Sequence, residues 1–447
     1  MIGVMMKNRI LKLLSFLPER LRQDWRSLVL TILVLTSLIL TGLVVQQVVT
    51  QNQGISQSNN VSQNNLNLSQ QINYNVNQLV TINADNKAEL VTENRANLNQ
   101  IIKVVQKYQV GKPTITAYNK VDFTKKIKRN NTILLGYGNP FSKQVLWDTF
   151  GMQYQFKDES GISWVQISKD NQFKGINFID TKHRVIYHFP QIQADQDLKK
   201  IKLSTKRIPI KIGYQHDNLE ITRLAPMVLS QRSYVVAHED AEEIVERLFD
   251  GNHQNQRTQN DQQTVYTDGS QRQLVQKGSK NQYVYDYYPN RLKLDSFNRR
   301  IDYATKLIHD VYAGDDNLEY LQIKGEGREL YFQPYVDNFP VFNDQGLGVV
   351  TFKQSSEKHI RLNFSSDSLK VPLPISDNKK IVLPAWPTVL KQLKQADFDT
   401  NQITNWTIGY QWVSENDDLA TLKPAWFIQI DNGKWKIVDK YIESRTP

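Results

Sequence analysis

Residues 28–45, LVLTILVLTSLILTGLVV, run for eighteen positions without a charge, an amide or a proline. A helix of that length and character spans the hydrocarbon core of a bilayer, more comfortably still if it continues to Val49. Eighteen apolar residues exceed what a globular core usually absorbs in one helix. Lys7, Arg9, Lys12, Arg20, Arg22 and Arg26 precede the run, and the next basic residue is Lys87. That asymmetry predicts a cytoplasmic N-terminus, with the rest of the chain outside. A cleaved signal peptide would have a shorter apolar region followed by an A-x-A-like site. Here the run ends in Val44-Val45-Gln46-Gln47-Val48-Val49. The sequence therefore predicts a cytoplasmic basic head (1–26), an uncleaved transmembrane signal anchor (27–49) and an extracytoplasmic remainder at the cell membrane.

The outer region has no cysteine with which to staple itself. Its length suits two or three units, each held by its own core. Net charge is +10, of which the head holds +4, six bases against two acids. The remainder is too weakly basic for a nucleic-acid footprint. Lys125, Lys126, Lys128 and Arg129 form one basic cluster, and Lys199, Lys200, Lys202, Lys206, Arg207 and Lys211 a second. They suit membrane lipid or wall polymer, though a solvated face is the simpler reading.

Residues 50–97 read as a stalk: 51–78 contain sixteen Asn or Gln and no charge. Val61, Asn65, Leu68, Ile72, Asn75, Leu79, Ile82 and Asn86 fall at alternating spacings of four and three, the seam of a coiled coil. A solvated tether is the other reading, because Asn is a poor helix former.

Compact structure is expected from Leu98, in three α+β units: 98–214, 215–312 and 313–447. In the first, a helix over 98–108 precedes strands at 114–118, 132–135, 164–167, 175–179 and 184–189, with a short helix at 142–150. In the second, Asp240, Glu242 and Glu243 open a helix over 239–249. A meander then turns at Asp268-Gly269 and Gly278, and a longer helix spans 291–312. In the third, strands 320–324 and 329–335 pair across Gly325-Glu326-Gly327, strands follow at 336–342 and 348–353, and a helix covers 384–393. The chain closes with strands at 406–413, 421–430 and 435–438. This predicts antiparallel meanders with packed helices rather than a doubly wound sheet.

Catalytic patterns are absent or incomplete. Ser355-Ser356-Glu357-Lys358 matches S-x-x-K and Ser376-Asp377-Asn378 matches S-D-N, but K-T-G is missing and Ser355 falls in a predicted turn. His183 and His188 are expected on opposite faces of one strand. His238-Glu239-Asp240 lacks the second His of H-E-x-x-H. Gly136-Tyr137-Gly138 and Gly325-Glu326-Gly327 read as turns. No metal, cofactor or catalytic residue is assigned. Twenty Tyr, seventeen Phe and eight Trp would serve glycan binding or simply strands.

Several segments carry a resemblance. Val265-Tyr266-Thr267-Asp268-Gly269-Ser270, continuing to Tyr285-Asp286-Tyr287-Tyr288-Pro289-Asn290, resembles the Y-T-D-G-T…Y-V-N-P stretch of YycH proteins. Tyr335-Val336-Asp337-Asn338-Phe339-Pro340-Val341-Phe342-Asn343, with Gly346-Leu347-Gly348, is similar to their Y-V-N-G-x-P-V-F hairpin. SLVLTILVLTSLILT resembles their anchor, and Lys423-Pro424-Ala425-Trp426 their late P-A-W strand. The basic head, the Asn/Gln stalk and Tyr-Tyr-Pro-Asn depart from the family pattern. The resemblance implies a single-pass regulator of low-GC Gram-positive bacteria. Such a protein works with a YycI-like partner on the essential sensor histidine kinase WalK (YycG), which governs cell-wall metabolism, and it is not an enzyme. An envelope enzyme or a wall-polymer binder is the alternative.

The anchor itself offers a contact face. At 100° per residue, Thr31, Ser37, Thr41 and Gly42 share one side of the helix. Ser37 and Thr41 form a small-xxx-small pair that would let a partner helix approach in lipid. Ordinary tolerance of Ser and Thr in such helices explains them equally well.

Overall fold

The computed structural model describes residues 76–443, less 77, 92–94, 138–149, 151–160, 170–173, 194–197, 199–200, 202, 205, 216, 250–255, 261, 278–280, 313–317, 375–378 and 432. The head, the anchor, the stalk up to 75 and nearly all of the helix predicted at 142–150 lie outside the described residues. Among those described, no helix is long and apolar enough to cross a membrane.

The first sheet has ten strands: β1 (Gln78–Ile82), β2 (Ala88–Val91), β3 (Gln109–Val110), β4 (Thr114–Ala117), β5 (Thr132–Gly136), β6 (Ile162–Ser168), β7 (Gly175–Asp180), β8 (Val185–Gln193), β9 (Arg207–Gln215) and β10 (Asn218–Arg223). Their spatial order is β10-β9-β2-β1-β5-β6-β7-β8-β3, with β4 also on β8. Helix α1 (Arg95–Val105) and helix α2 (Lys120–Ile127) cover opposite faces. Ile133, Leu135, Val165, Ile167 and Phe178 pack with Ile101, Val104 and Val105 of α1. Leu134, Trp164 and Ile179 pack with Phe123 and Ile127 of α2. The Asn119 side chain starts α2 by accepting the Asp122 N–H at 2.9 Å.

Two expectations are corrected here. Residues 78–91, assigned to the stalk, form β1 and β2 inside the sheet. Leu79 and Ile82, expected on one helical seam, belong to opposite faces of it, one packed with α1 and the other with α2. Asn86, the last seam position, is a turn residue with φ +61°. Residues 215–223, placed in the central unit, complete the β9–β10 hairpin of the first sheet. A boundary drawn at 214/215 cuts through that hairpin, because its residues Ile210, Ile212, Tyr214 and Leu219 pack into the α2 side of the core.

The later strands are β11 (Met227–Ser230), β12 (Arg232–His238), β13 (Gln256–Gln259), β14 (Gln263–Thr267), β15 (Arg272–Lys277), β16 (Gln282–Tyr287), β17 (Leu318–Lys324), β18 (Glu329–Val336), β19 (Phe339–Phe342), β20 (Val350–Ser356), β21 (His359–Ser365), β22 (Asp367–Pro372), β23 (Lys380–Leu383), β24 (Ile403–Ser414), β25 (Leu419–Ile430) and β26 (Trp435–Ile437). The helices among them are α3 (Ala241–Leu248), α4 (Phe297–Val311), α5 (Trp386–Gln395) and α6 (Asp439–Glu443). A fourteen-stranded sheet runs β13-β14-β15-β16-β21-β20-β18-β19-β24-β25-β12-β22, with β17 on β18 and β26 on β25, while β11 and β23 pair separately. Among the described strands, β19 with β24 is the one parallel pairing.

The β13–β21 half rests on α3 and α4. Ile244, Leu248 and Phe249 with Ile301, Ile308 and Val311 meet Leu274, Tyr285, Phe332, Phe352 and Leu362. Asp240, expected inside the first turn of a helix from 239, instead caps α3, accepting the Glu242 N–H at 2.8 Å. Asp268 holds the meander turn by accepting the N–H groups of Ser270, Gln271 and Arg272, and Gly269 takes φ +76°. The boundary expected at 312/313 falls inside this layer, because β16 pairs with β21 from Gln282↔Ser365 to Tyr287↔Ile360. In the other half, α5 and α6 cover one face of β24–β25. Val236, Val341, Leu369, Tyr410, Trp412 and Leu422 continue the core along that same face, while Phe342, Ala425, Phe427 and Ile437 pack on the other.

Candidate functional site

The residues singled out in the sequence do not converge. Thr31, Ser37, Thr41 and Gly42 lie outside the described residues, as does Ser376-Asp377-Asn378. Ser355 is an exposed residue near the end of β20, beside an irregularity in its pairing with β21, and not in the turn itself. His183 sits in the turn before β8 rather than on it, bonded to Asp180 at 2.9 Å. His188 is on β8, its Nδ1 2.8 Å from Asn177 Oδ1, and burial with the nearby Arg129 charge holds its pKa below the usual value. His238 ends β12, 2.6 Å from Asp367, and Glu239 accepts from Arg247 at 2.9 Å. Gly136 is the last residue of β5 rather than a turn; a Cβ there would stand 2.4 Å from the Trp164 ring. Gly325–Gly327 is a single 3-10 turn, as expected. Among the described residues no group of three His, Cys, Asp or Glu could hold a metal ion.

What the strands bring together instead is a cleft of ≈ 330 Å3 between β10, the edge of the first sheet, and β17, β24, β25 and β26. Both walls belong to one compact unit, Leu66–Pro447. A line of side-chain amides crosses its floor. Gln429 on β25 is fully buried. Its Oε1 accepts from Asn405 Nδ2 at 2.8 Å, and its Nε2 donates to Gly433 O at 2.8 Å and to Gln322 Oε1 at 3.3 Å. This leaves the Asn405 oxygen and the Gln322 amino group as the ends of the line.

Arg223, the last residue of β10, lies over the Trp426 ring, 5.9 Å from its centroid. Among the described residues it has no carboxylate partner, and its Nε is buried without a hydrogen bond. Burial pushes its pKa down to about 10, so it is still a cation at neutral pH. Gln78 Oε1 and Trp435 Nε1 are likewise buried and unbonded, and both residues line the same cleft. Trp406 forms part of the wall and is held flat against Trp386, with ring centroids 4.8 Å apart and planes at 10°. The Trp426 indole N–H is fixed by Pro384 O at 3.0 Å. Amides, indoles, one guanidinium and the Glu220 carboxylate line the cleft, a set that can recognise a polar molecule.

The architecture is a multi-sheet α+β protein dominated by antiparallel strands. A solved structure with this fold, YycH from Bacillus subtilis, superposes with a TM-score of 0.65 at 16% identity, covering 85% of this chain and 98% of that one. An uncharacterised protein from Eubacterium rectale reaches a TM-score of only 0.30 at 8% identity, over 45% of this chain and 77% of its own. No curated protein matches the sequence. The family described as "YycH protein, C-terminal domain" matches residues 222–445. The chain belongs to the YycH family. Membership points to an accessory regulator of the WalK/YycG kinase, and the family is not known for enzymes.

Proposed function

We propose that this chain is a membrane-anchored, extracytoplasmic accessory regulator that tunes a WalK/YycG-like sensor histidine kinase together with a YycI-like partner. The family match over 222–445 carries the reading. The apolar run 28–45 and its basic inner flank support the membrane placement. In this reading Thr31, Ser37, Thr41 and Gly42 face a transmembrane helix of the complex, where small residues permit close backbone approach.

The test is co-purification from detergent-solubilised membranes. The kinase is expected to follow the tagged wild-type chain and to be partly lost when Ser37 and Thr41 are both replaced by Leu. Recovery of no kinase with the wild-type chain would remove the regulatory reading. Protease added to intact protoplasts is expected to digest the folded region and to spare residues 1–26; the reverse pattern would overturn the orientation.

A further inference from the structure

We propose that the cleft between β10 and β24–β26 is a binding site for a small carboxylate-bearing sugar. The inference is independent of the kinase reading, because the binding is measured on the isolated chain. Three observations carry it. The first is Arg223, a half-buried cation over Trp426 whose Nε is covered and unbonded, with no carboxylate partner among the described residues. A guanidinium presents a planar fork that fits a carboxylate, and a buried charge left without a counter-charge is costly.

The second is the mixture of unmet donors and acceptors around it. Buried polar groups in folded proteins nearly always have partners. Gln78 Oε1, Trp435 Nε1 and Arg223 Nε have none among the described residues; the atoms themselves are covered, and all three belong to side chains that line this one cleft. The amide line adds the Asn405 oxygen and the Gln322 amino group. A bare inorganic anion would use only the donors. Hydroxyl groups donate and accept at once, so a polyhydroxylated ring answers both kinds. The third observation is Trp406, whose indole is braced on the wall by Trp386. A pyranose has an apolar C–H face suited to such a surface. The volume, ≈ 330 Å3, is near the lower end of small-molecule sites, which run from roughly 300 to 1,000 Å3, so the occupant is small rather than a long polymer.

The experiment titrates the purified full-length protein with glucuronic acid and N-acetylmuramic acid, each against its uncharged counterpart, glucose and N-acetylglucosamine. Binding is read by calorimetry. At least one acid is expected to bind tenfold or more tightly than its counterpart, roughly the effect of one charge-assisted contact. Arg223→Gln should erase that preference. Gln322→Glu should erase it too, since it keeps an acceptor for Gln429 while setting a negative charge in the cleft. Gln322 is only half-buried, so this variant remains informative if Arg223→Gln fails to fold, with thermal melts checking both. No preference for either acid in the folded wild-type protein overturns the proposal. So does a preference that survives Gln322→Glu, or acetate binding as tightly as the acidic sugars, which would make the cleft a plain anion hole.

Discussion

The first sheet is covered on both faces and the β13–β21 layer on one, and their strands are written differently. TILLG, ISWVQIS and GINFID, the strands β5, β6 and β7, are buried along almost their whole length. VTFKQSS and HIRLNFS, the strands β20 and β21, alternate between buried and open positions. Two-sided burial removes the polar face that normally marks a strand. It also forces any polar residue inside to find a partner there. Gln166 on β6 shows how: its Nε2 donates to Ile127 O at the end of α2 at 2.9 Å, while its Oε1 accepts from Asn177 Nδ2 at 2.9 Å. Asn177 in turn meets His188. On the open face of the other layer the polar groups are ion pairs at the solvent boundary. There Arg361 binds both oxygens of Asp286, at 2.8 and 3.0 Å, and Lys353 pairs with Glu329.

Substitutions in the two regions should therefore differ in cost. The largest effect is expected from Gly136→Val, which drives side-chain atoms into the Trp164 ring between two packed faces. About 3 kcal/mol should be lost, read as a fall in the urea midpoint; a shift within error would mean that the core yields more easily than its packing implies. Gln166→Leu is next. It strips the α2 carbonyl and Asn177 of a partner in a fully buried place, at a cost of about 2 kcal/mol by the same measurement.

His238→Asn should cost at most about 1 kcal/mol, and only at low pH. Burial lowers the His238 pKa, but the hydrogen bond and charge of Asp367, helped by Asp417 and Asp418, raise it overall. A raised folded-state pKa stabilises fully below the ordinary value near 6.5, and this support vanishes as pH climbs through the folded value. The gap between wild type and variant should therefore be wider at about pH 5.5 than at about pH 8.5. A gap that widened with pH would contradict the pairing. The smallest effect is expected from Lys353→Ala on the open face, about 0.5 kcal/mol and reduced further by salt. A loss approaching that of Gln166→Leu would erase the distinction between the faces.

The one-sided layer was largely legible. Asp240 before an apolar face gave the start of α3, and Asp268-Gly269 between alternating runs gave the hairpin, because both signals act within a few residues. Sheet order was not legible. β16 meets β21 across more than seventy positions, and nothing local in Tyr283 or Tyr285 says which edge they will find. β1 was hidden by composition: Leu79, Val80 and Ile82 follow directly on the Asn/Gln tract, and four-three spacing suggested a helix where period two applies. The cleft escaped for a third reason. Arg223, Gln322, Asn405 and Gln429 are ordinary strand residues one by one, and only the approach of β10 to β24 and β25 turns them into a set. Trp406 and Trp435 were visible only as part of an aromatic-rich composition that strands explain equally well.

The pairing of β12 has a consequence in time. Its partners are β22 on one side and β25 on the other, running from Arg232↔Leu422 to Val235↔Leu419. A ribosome finishes β12 early and delivers β25 only near the end of the message. Until β22 emerges, Val235 and Val236 sit on a strand with two vacant edges, and one edge stays vacant until β25 arrives, the condition in which nascent chains aggregate. Folding of this half is therefore gated by the last stretch of synthesis. A nonsense mutation anywhere before Leu419 would leave β12 permanently short of a neighbour, however complete the first sheet had become.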